Sequence, residues 1–180
     1  MTRRSNGAAM RLAVGAAFAL LAGSTPALAQ TSTPPVRGPV KLSGPRFGAT
    51  VLSDGVLRKL RDEDDVDVNS VVTQFGWQFE KRFEGTGSGL TPVSEWVFLL
   101  GGLEQGTVLP SLSWLVGLRT RAGAEFGVGP NITPVGAALA VAAGMTFRSG
   151  ALNIPLNVAV VPSKAGVRVS VLTGFNMRRR

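Results

Sequence analysis

Glu80, Glu95 and Glu125, set against Arg119, Arg148 and Arg168, are the residues of this sequence best equipped for chemistry. Carboxylates facing one another across a cavity can share general-acid and general-base work, as in glycoside hydrolysis. The same carboxylates can instead be structural partners of the arginines, because a buried charge is tolerable only when paired. The rest of the composition favours the structural reading. Histidine, cysteine and tyrosine are all absent. Serine–histidine, cysteine–histidine and histidine–metal chemistry are therefore excluded. No catalytic residue and no cofactor is expected.

The other chemical candidates are weaker. Asp62, Asp64, Asp65 and Asp67 form an acidic run that could offer oxygen ligands to calcium. The run lacks the glycine and the distal glutamate of an EF-hand loop. A solvated loop neutralised by Arg58, Lys59 and Arg61 explains it as well. Gly85-Thr86-Gly87-Ser88-Gly89 resembles a phosphate loop in composition only, since no Gly-Lys-Ser/Thr follows; it reads as a turn. Asn131-Ile132-Thr133 matches a glycosylation sequon but precedes Pro134 and carries little weight. Arg178-Arg179-Arg180 is a solvated end, or a contact for anionic phosphate at a membrane surface.

Strands must position these charges. Val71, Thr73, Phe75, Trp77 and Phe79 alternate with Val72, Gln74, Gly76, Gln78 and Glu80. A period of two places successive side chains on opposite faces of a strand. The same division recurs. Trp96, Phe98 and Leu100 oppose Glu95, Leu99 and Gly101. Leu112, Trp114, Val116 and Leu118 oppose Ser113, Gly117 and Arg119. Phe126 and Val128 oppose Glu125, Gly127 and Gly129. Val141, Met145 and Phe147 oppose Ala142, Gly144 and Arg148. Ile154, Leu156 and Val158 oppose Asn153, Pro155 and Asn157. Val167, Val169 and Val171 oppose Arg168, Ser170 and Gly174.

With a first strand over 46–52, this predicts about eight strands, six of them near 70–83, 93–103, 111–120, 124–129, 136–148 and 167–176 and the seventh opening at Leu152. Residues 130–134 break the chain after the fifth. A short helix, Gly55–Asp62, is expected behind the cap residues Ser53-Asp54, with Leu57 and Leu60 on one side. Pro155 lacks a ladder donor and should mark a bulge or an unpaired site. The fold class expected is all-β: an antiparallel up-and-down barrel of about eight strands, with one short helix in the first connection.

Two barrels fit such faces. A soluble barrel hides its bulky apolar residues; a membrane barrel shows them to lipid. Volume favours the second. An eight-strand barrel is just wide enough inside to be filled by side chains. Trp77, Trp96 and Trp114 would crowd it, whereas Gly76, Gly117, Gly127 and Gly144 fit. Phe75, Trp77, Phe79, Trp96, Phe98, Trp114, Leu156 and Val169 are therefore expected to face lipid. Glu80, Glu95, Glu125, Arg119, Arg148 and Arg168 then form an interior charge network. A soluble exported barrel carrying an apolar ligand is the alternative, with Trp77, Phe98 and Leu156 turned inward.

The N-terminus supports export. Arg3, Arg4 and Arg11 precede or open the apolar run Leu12–Ala22, and Ala27-Leu28-Ala29 follows. This is the pattern of a signal peptide, and the run is far short of the ~20 residues a spanning helix needs. Residues 1–29 are read as the signal and 30–44 as a disordered leader rich in proline, threonine and serine. Residues 45–180 are read as the barrel domain. The net charge of +8 draws on the signal and the terminal arginines, and no basic stripe interleaved with aromatics runs between them. Nucleic acid is not an expected partner.

Gln74-Phe75-Gly76-Trp77-Gln78-Phe79-Glu80, Gly101-Gly102-Leu103-Glu104-Gln105-Gly106, Glu125-Phe126-Gly127-Val128-Gly129-Pro130-Asn131 and Gly174-Phe175-Asn176 together resemble a family of exported bacterial proteins that look like small outer-membrane barrels. More distantly, the architecture is similar to OmpA/OmpX-type barrels. The resemblance spans about residues 45–178. It implies location in a bacterial outer membrane, with periplasm or secretion as the alternative. Membrane lipid and the outer-membrane assembly machinery are the implied partners. It implies no activity. The C-terminus departs from the pattern, because Phe175 is followed by Asn-Met-Arg-Arg-Arg rather than ending the chain.

Overall fold

The computed structural model describes residues 38–83, 89–150 and 152–178. The expected signal, the leader as far as residue 37, residues 85–88 of the glycine-rich turn, and Arg179-Arg180 lie outside the described residues. The elements in order are β1 (Val40–Leu52), α1 (Asp54–Asp64), β2 (Val71–Arg82), β3 (Leu90–Gly101), a 3-10 turn (Leu103–Gln105), β4 (Leu109–Thr120), β5 (Ala124–Thr133), β6 (Gly136–Ser149), β7 (Leu152–Ser163), β8 (Gly166–Gly174) and β9 (Met177–Arg178). Each strand pairs antiparallel with the next, and β1 pairs with both β2 and β8. The sheet thus closes into an eight-stranded up-and-down barrel, with the two-residue β9 continuing β8 along β1.

Closure removes the exposed edges that an open sheet must protect. It also fixes which end each connection occupies. One end carries α1, the 3-10 turn and the tight turns at 134–135 and 164–165. The other carries the start of β1, the end of β8 and the connections after β2, β4 and β6.

Prolines shape the ladders. β1 begins at Val40, not at Arg46, so residues 40–44 belong to the barrel wall rather than to a leader. Gly44-Pro45 does not stop the strand, because β1 stays paired to β2 on its other edge, with Pro45 opposite Trp77. Pairing with β8 and β9 lapses at that point and resumes at Ser43–Met177. Likewise β5 runs through Pro130 to Thr133, contrary to the break expected at 130. Pro130 pairs with Leu139 of β6, while the β4 ladder skips from Ser113–Asn131 to Val116–Val128. Pro155 pairs with Thr146 of β6, and the β8 ladder is interrupted between Leu156–Thr173 and Asn153–Asn176. In each case the missing N–H falls where one ladder lapses and the other edge holds the strand.

Helix α1 closes one mouth. Val56 and Leu60, one helical turn apart, are fully buried and pack with Leu52, Val68, Val72 and Val135. Leu57, expected on that face, is only partly buried against the cluster. Ser53 is the N-cap residue, but its side chain makes no capping hydrogen bond. Its Oγ instead accepts the N–H of Val167 at 3.0 Å, which ties the start of α1 to the opening of β8. Asp65 ends the helix in the left-handed conformation (φ 52°) and returns its N–H to Leu60. No helix among the described residues is long and apolar enough to cross a membrane.

Candidate functional site

The strands carry two surfaces. Outside, Phe75, Trp77, Phe79, Trp96, Phe98, Trp114 and Leu156 are exposed, and Val169 is half-exposed on the same face as Val167 and Val171. Register lines the aromatics up across strands. Trp77 lies opposite Phe98, and Phe79 opposite Trp96. Trp96 stacks on Trp114 with ring centroids 5.7 Å apart, and Phe79 meets Phe98 edge-on at 6.2 Å. Water-soluble monomers rarely show contiguous apolar patches beyond a few hundred Å². Here the outer face of every long strand has exposed bulky apolar residues.

Inside, small residues let the strands curl. A Cβ on Gly76 would come within 1.8 Å of the Phe98 carbonyl oxygen, and one on Gly48 within 1.9 Å of that of Val171. Glycine at such positions marks a close backbone approach.

The interior charges gather toward the end that carries the start of β1 and the end of β8. Glu80 and Glu95 are direct cross-strand neighbours, an arrangement that repels unless a cation intervenes. Arg119 is that cation. Its Nη1 donates to Glu80 Oε1 at 2.5 Å, its Nη2 to Glu95 Oε1 at 3.4 Å and its Nε to Glu125 Oε2 at 2.6 Å. Arg82 Nε also donates to Glu80 Oε1. Asn176 Nδ2 donates to Glu80 Oε2 at 3.0 Å and its Oδ1 accepts from Arg46 Nη2 at 2.8 Å, so Arg46 joins through an amide. Arg46 Nε donates to Gln78 Oε1 at 2.7 Å. Arg46, Gln78, Glu80, Glu95, Arg119 and Asn176 are all buried.

Two of the arginines expected in this network are elsewhere. Arg148 turns the right way by parity, but it lies near the end of the long strand β6 and is exposed. Arg168 is buried at the opposite end, beside Leu52 and Val161, and donates to Thr133 Oγ1 at 2.5 Å. Among the described residues neither meets a carboxylate. Arg46 and Arg82 take their places, so three carboxylates meet three guanidiniums by a different membership. Alternation reveals which face a residue occupies; it does not reveal its height along the barrel.

The acidic run does not converge. Asp62, Asp64, Asp65 and Asp67 are all exposed, and no group of acidic residues able to hold a metal is present among the described residues. Arg61 pairs with Asp67 at 2.6 Å, a hydrogen bond that holds its guanidinium still more firmly protonated. At the same end, Glu104 does something the sequence did not reveal. Its Oε1 accepts the N–H of Thr73 at 2.8 Å and its Oε2 accepts the Thr73 hydroxyl. The Thr73 hydroxyl is the largest cause holding the Glu104 carboxyl down to about 2. Gln105 adds bonds to Val71 O and Asn69 N at 3.0 and 2.6 Å.

Between the roof of α1 and the charge cluster lies a cavity of about 90 Å³. Leu52, Val56 and Leu60 line its upper part, and Arg46 and Glu95 border it below. It is well below the ~300 Å³ at which drug-sized ligands begin to fit. Trp77, Phe98 and Leu156 point away from it, opposite to the arrangement expected of an apolar-ligand carrier. The three glutamates are each engaged by Arg119 rather than presented to an open cleft.

No protein family matches the sequence, and no curated protein matches it either. The fold has solved counterparts. The crystal structure of Ail, the attachment invasion locus protein of Yersinia pestis, aligns with a TM-score of 0.53 at 13% identity, over 79% of this chain and 99% of that one. Ail in complex with the heparin analogue sucrose octasulfate aligns with a TM-score of 0.50 at 11% identity, over 79% and 100%. A de novo designed transmembrane β-barrel aligns at 0.42 and 12% identity, over 79% and 98%. The fold is that of the small outer-membrane β-barrels.

Proposed function

We propose that the protein is a non-enzymatic barrel of a bacterial outer membrane, serving envelope structure or surface interaction rather than transport. The observation that carries this reading is the outer belt of Trp77, Trp96, Trp114, Phe75, Phe98 and Leu156 around an interior closed by side chains. Lipid is the natural partner for such a belt. Passage of solutes is opposed at two levels, by α1 at one mouth and by the Arg119 cluster near the other. In outer-membrane barrels the shorter turns face the periplasm. That orientation puts the start of β1 and the end of β8 on the periplasmic side and α1 at the cell surface, with outer-membrane assembly machinery as the insertion partner.

The surface end would then carry Asp54, Asp62, Glu63, Asp64, Asp65, Asp67 and Glu104 against Arg58, Lys59, Arg61 and Lys164, an acidic excess. Binding of a sulfated polyanion, as in the Ail complex, does not follow for such a surface. Fractionation of cells producing the chain tests the proposal. The barrel is expected with outer membranes and to need detergent for extraction. Recovery as a soluble periplasmic monomer would contradict it.

A further inference from the structure

Arg168 is the interior cation that the charge cluster leaves over. Arg46, Arg82 and Arg119 meet Glu80, Glu95 and Glu125 directly or through Asn176, and that set balances. Arg168 stands apart from it, only 6% exposed. Its Nη1 is held by Thr133, a neutral hydroxyl. Its Nε and Nη2 have no acceptor among the described residues. A buried charge left uncompensated is strongly unfavourable, and a neutral acceptor satisfies the N–H groups without neutralising the charge.

The same side chain lines the interior cavity, together with Ser170, Asn131, Leu52, Val56 and Leu60. The volume, about 90 Å³, exceeds what one water needs and is smaller than an engineered cavity of ~150 Å³ that takes up benzene. The unoccupied edge of the guanidinium is the Nε–Nη2 pair. Arginine presents parallel N–H groups in a planar fork that a carboxylate meets with two hydrogen bonds.

We propose that this cavity is a binding site for a small monovalent anion, a compact carboxylate of formate or acetate size fitting best, seated on Nε and Nη2 of Arg168. One charge is what the site lacks; a dianion would introduce a new uncompensated charge. The apolar roof of α1 receives a methyl group and leaves no room for a long chain. A halide shares the chemistry of a compact monovalent anion but uses the fork less fully. The inference concerns the interior alone and stands whether or not the outer wall meets lipid.

The test uses the full-length barrel refolded in detergent micelles. Formate, acetate and chloride are titrated separately at constant ionic strength, with gluconate, too large for the cavity, as the balancing anion. A ligand that binds only the folded state lowers the unfolding constant about tenfold for each tenfold rise beyond saturation. Formate and acetate are expected to do so, and Arg168→Met is expected to respond to neither. A response to chloride alone would assign the site to halide. Equal behaviour in all the anions, or an undiminished response in Arg168→Met, would overturn the proposal. Crystals of the unsubstituted protein grown in acetate and in bromide give a reading that does not depend on the variant folding. Planar density or an anomalous peak against Nε and Nη2 supports the site; water alone in both overturns it.

Discussion

Arg119 is the residue on which the interior most depends. It touches all three interior glutamates, two of which face each other across a ladder. Arg119→Met is expected to destabilise the barrel by about 3–5 kcal/mol, the usual cost of removing one side of a buried ion pair. Urea unfolding in lipid vesicles measures this. Adding Glu95→Gln to that variant should return part of the loss, because contacting residues are not additive. Arg148 supplies the contrast. It has the same side chain and inward parity, but it is exposed beyond the barrel's packed interior. Arg148→Met is therefore expected to stay within about 0.5 kcal/mol of the parent in the same assay. On the outer face, Trp77 lies mid-strand in β2. Trp77→Arg is expected to cost ~2–4 kcal/mol in a bilayer, the range for a cation near the midplane of a barrel's lipid face. In a soluble barrel the same change on an exposed position would be nearly neutral.

At the scale of elements, α1 and the 3-10 turn are the parts most separable from the wall. Leu60 and Val56 seat the helix on the barrel mouth. Leu60→Ala is expected to weaken that seat by about 2–5 kcal/mol, as for other large-to-small core changes. Limited proteolysis should then cut within 54–69 while the barrel stays folded; unchanged resistance would contradict the seating role. The 3-10 turn is tied down by Glu104, whose carboxyl sits at about 2 against an ordinary 4.5. A carboxyl whose value is lowered by folding stabilises fully above its unfolded value and loses that contribution as pH falls through its folded one. Exchange protection of the Thr73 amide should therefore hold down to about pH 4 and fall away toward about pH 2. Glu104→Gln should remove that pH dependence. A profile equally steep in Glu104→Gln would show that another group controls it.

At the scale of the whole molecule, the wall was far more legible than the interior. Alternation in stretches such as Val71–Phe79 identified strands, because a two-residue period maps directly onto the two faces of a sheet. It could not place charges along the barrel axis, since height depends on register with neighbours. Parity alone therefore groups Arg148 and Arg168 with carboxylates they do not meet. Arg46 and Asn176 are hidden from the sequence for a related reason. Arg46 opens the expected first strand directly after the expected leader and Pro45, and Asn176 follows the lapse in pairing after Gly174. Both are nevertheless held in the interior by Glu80, Gln78 and each other. The central claim is that the aromatic wall faces lipid, and the tryptophans of this chain, Trp77, Trp96 and Trp114, report on it directly. The measurement is their fluorescence after refolding into vesicles whose acyl chains carry bromine, a contact quencher. Strong quenching, relative to unbrominated vesicles, is the predicted result. Emission that bromine leaves unchanged, with the protein remaining in the aqueous phase, would contradict the account.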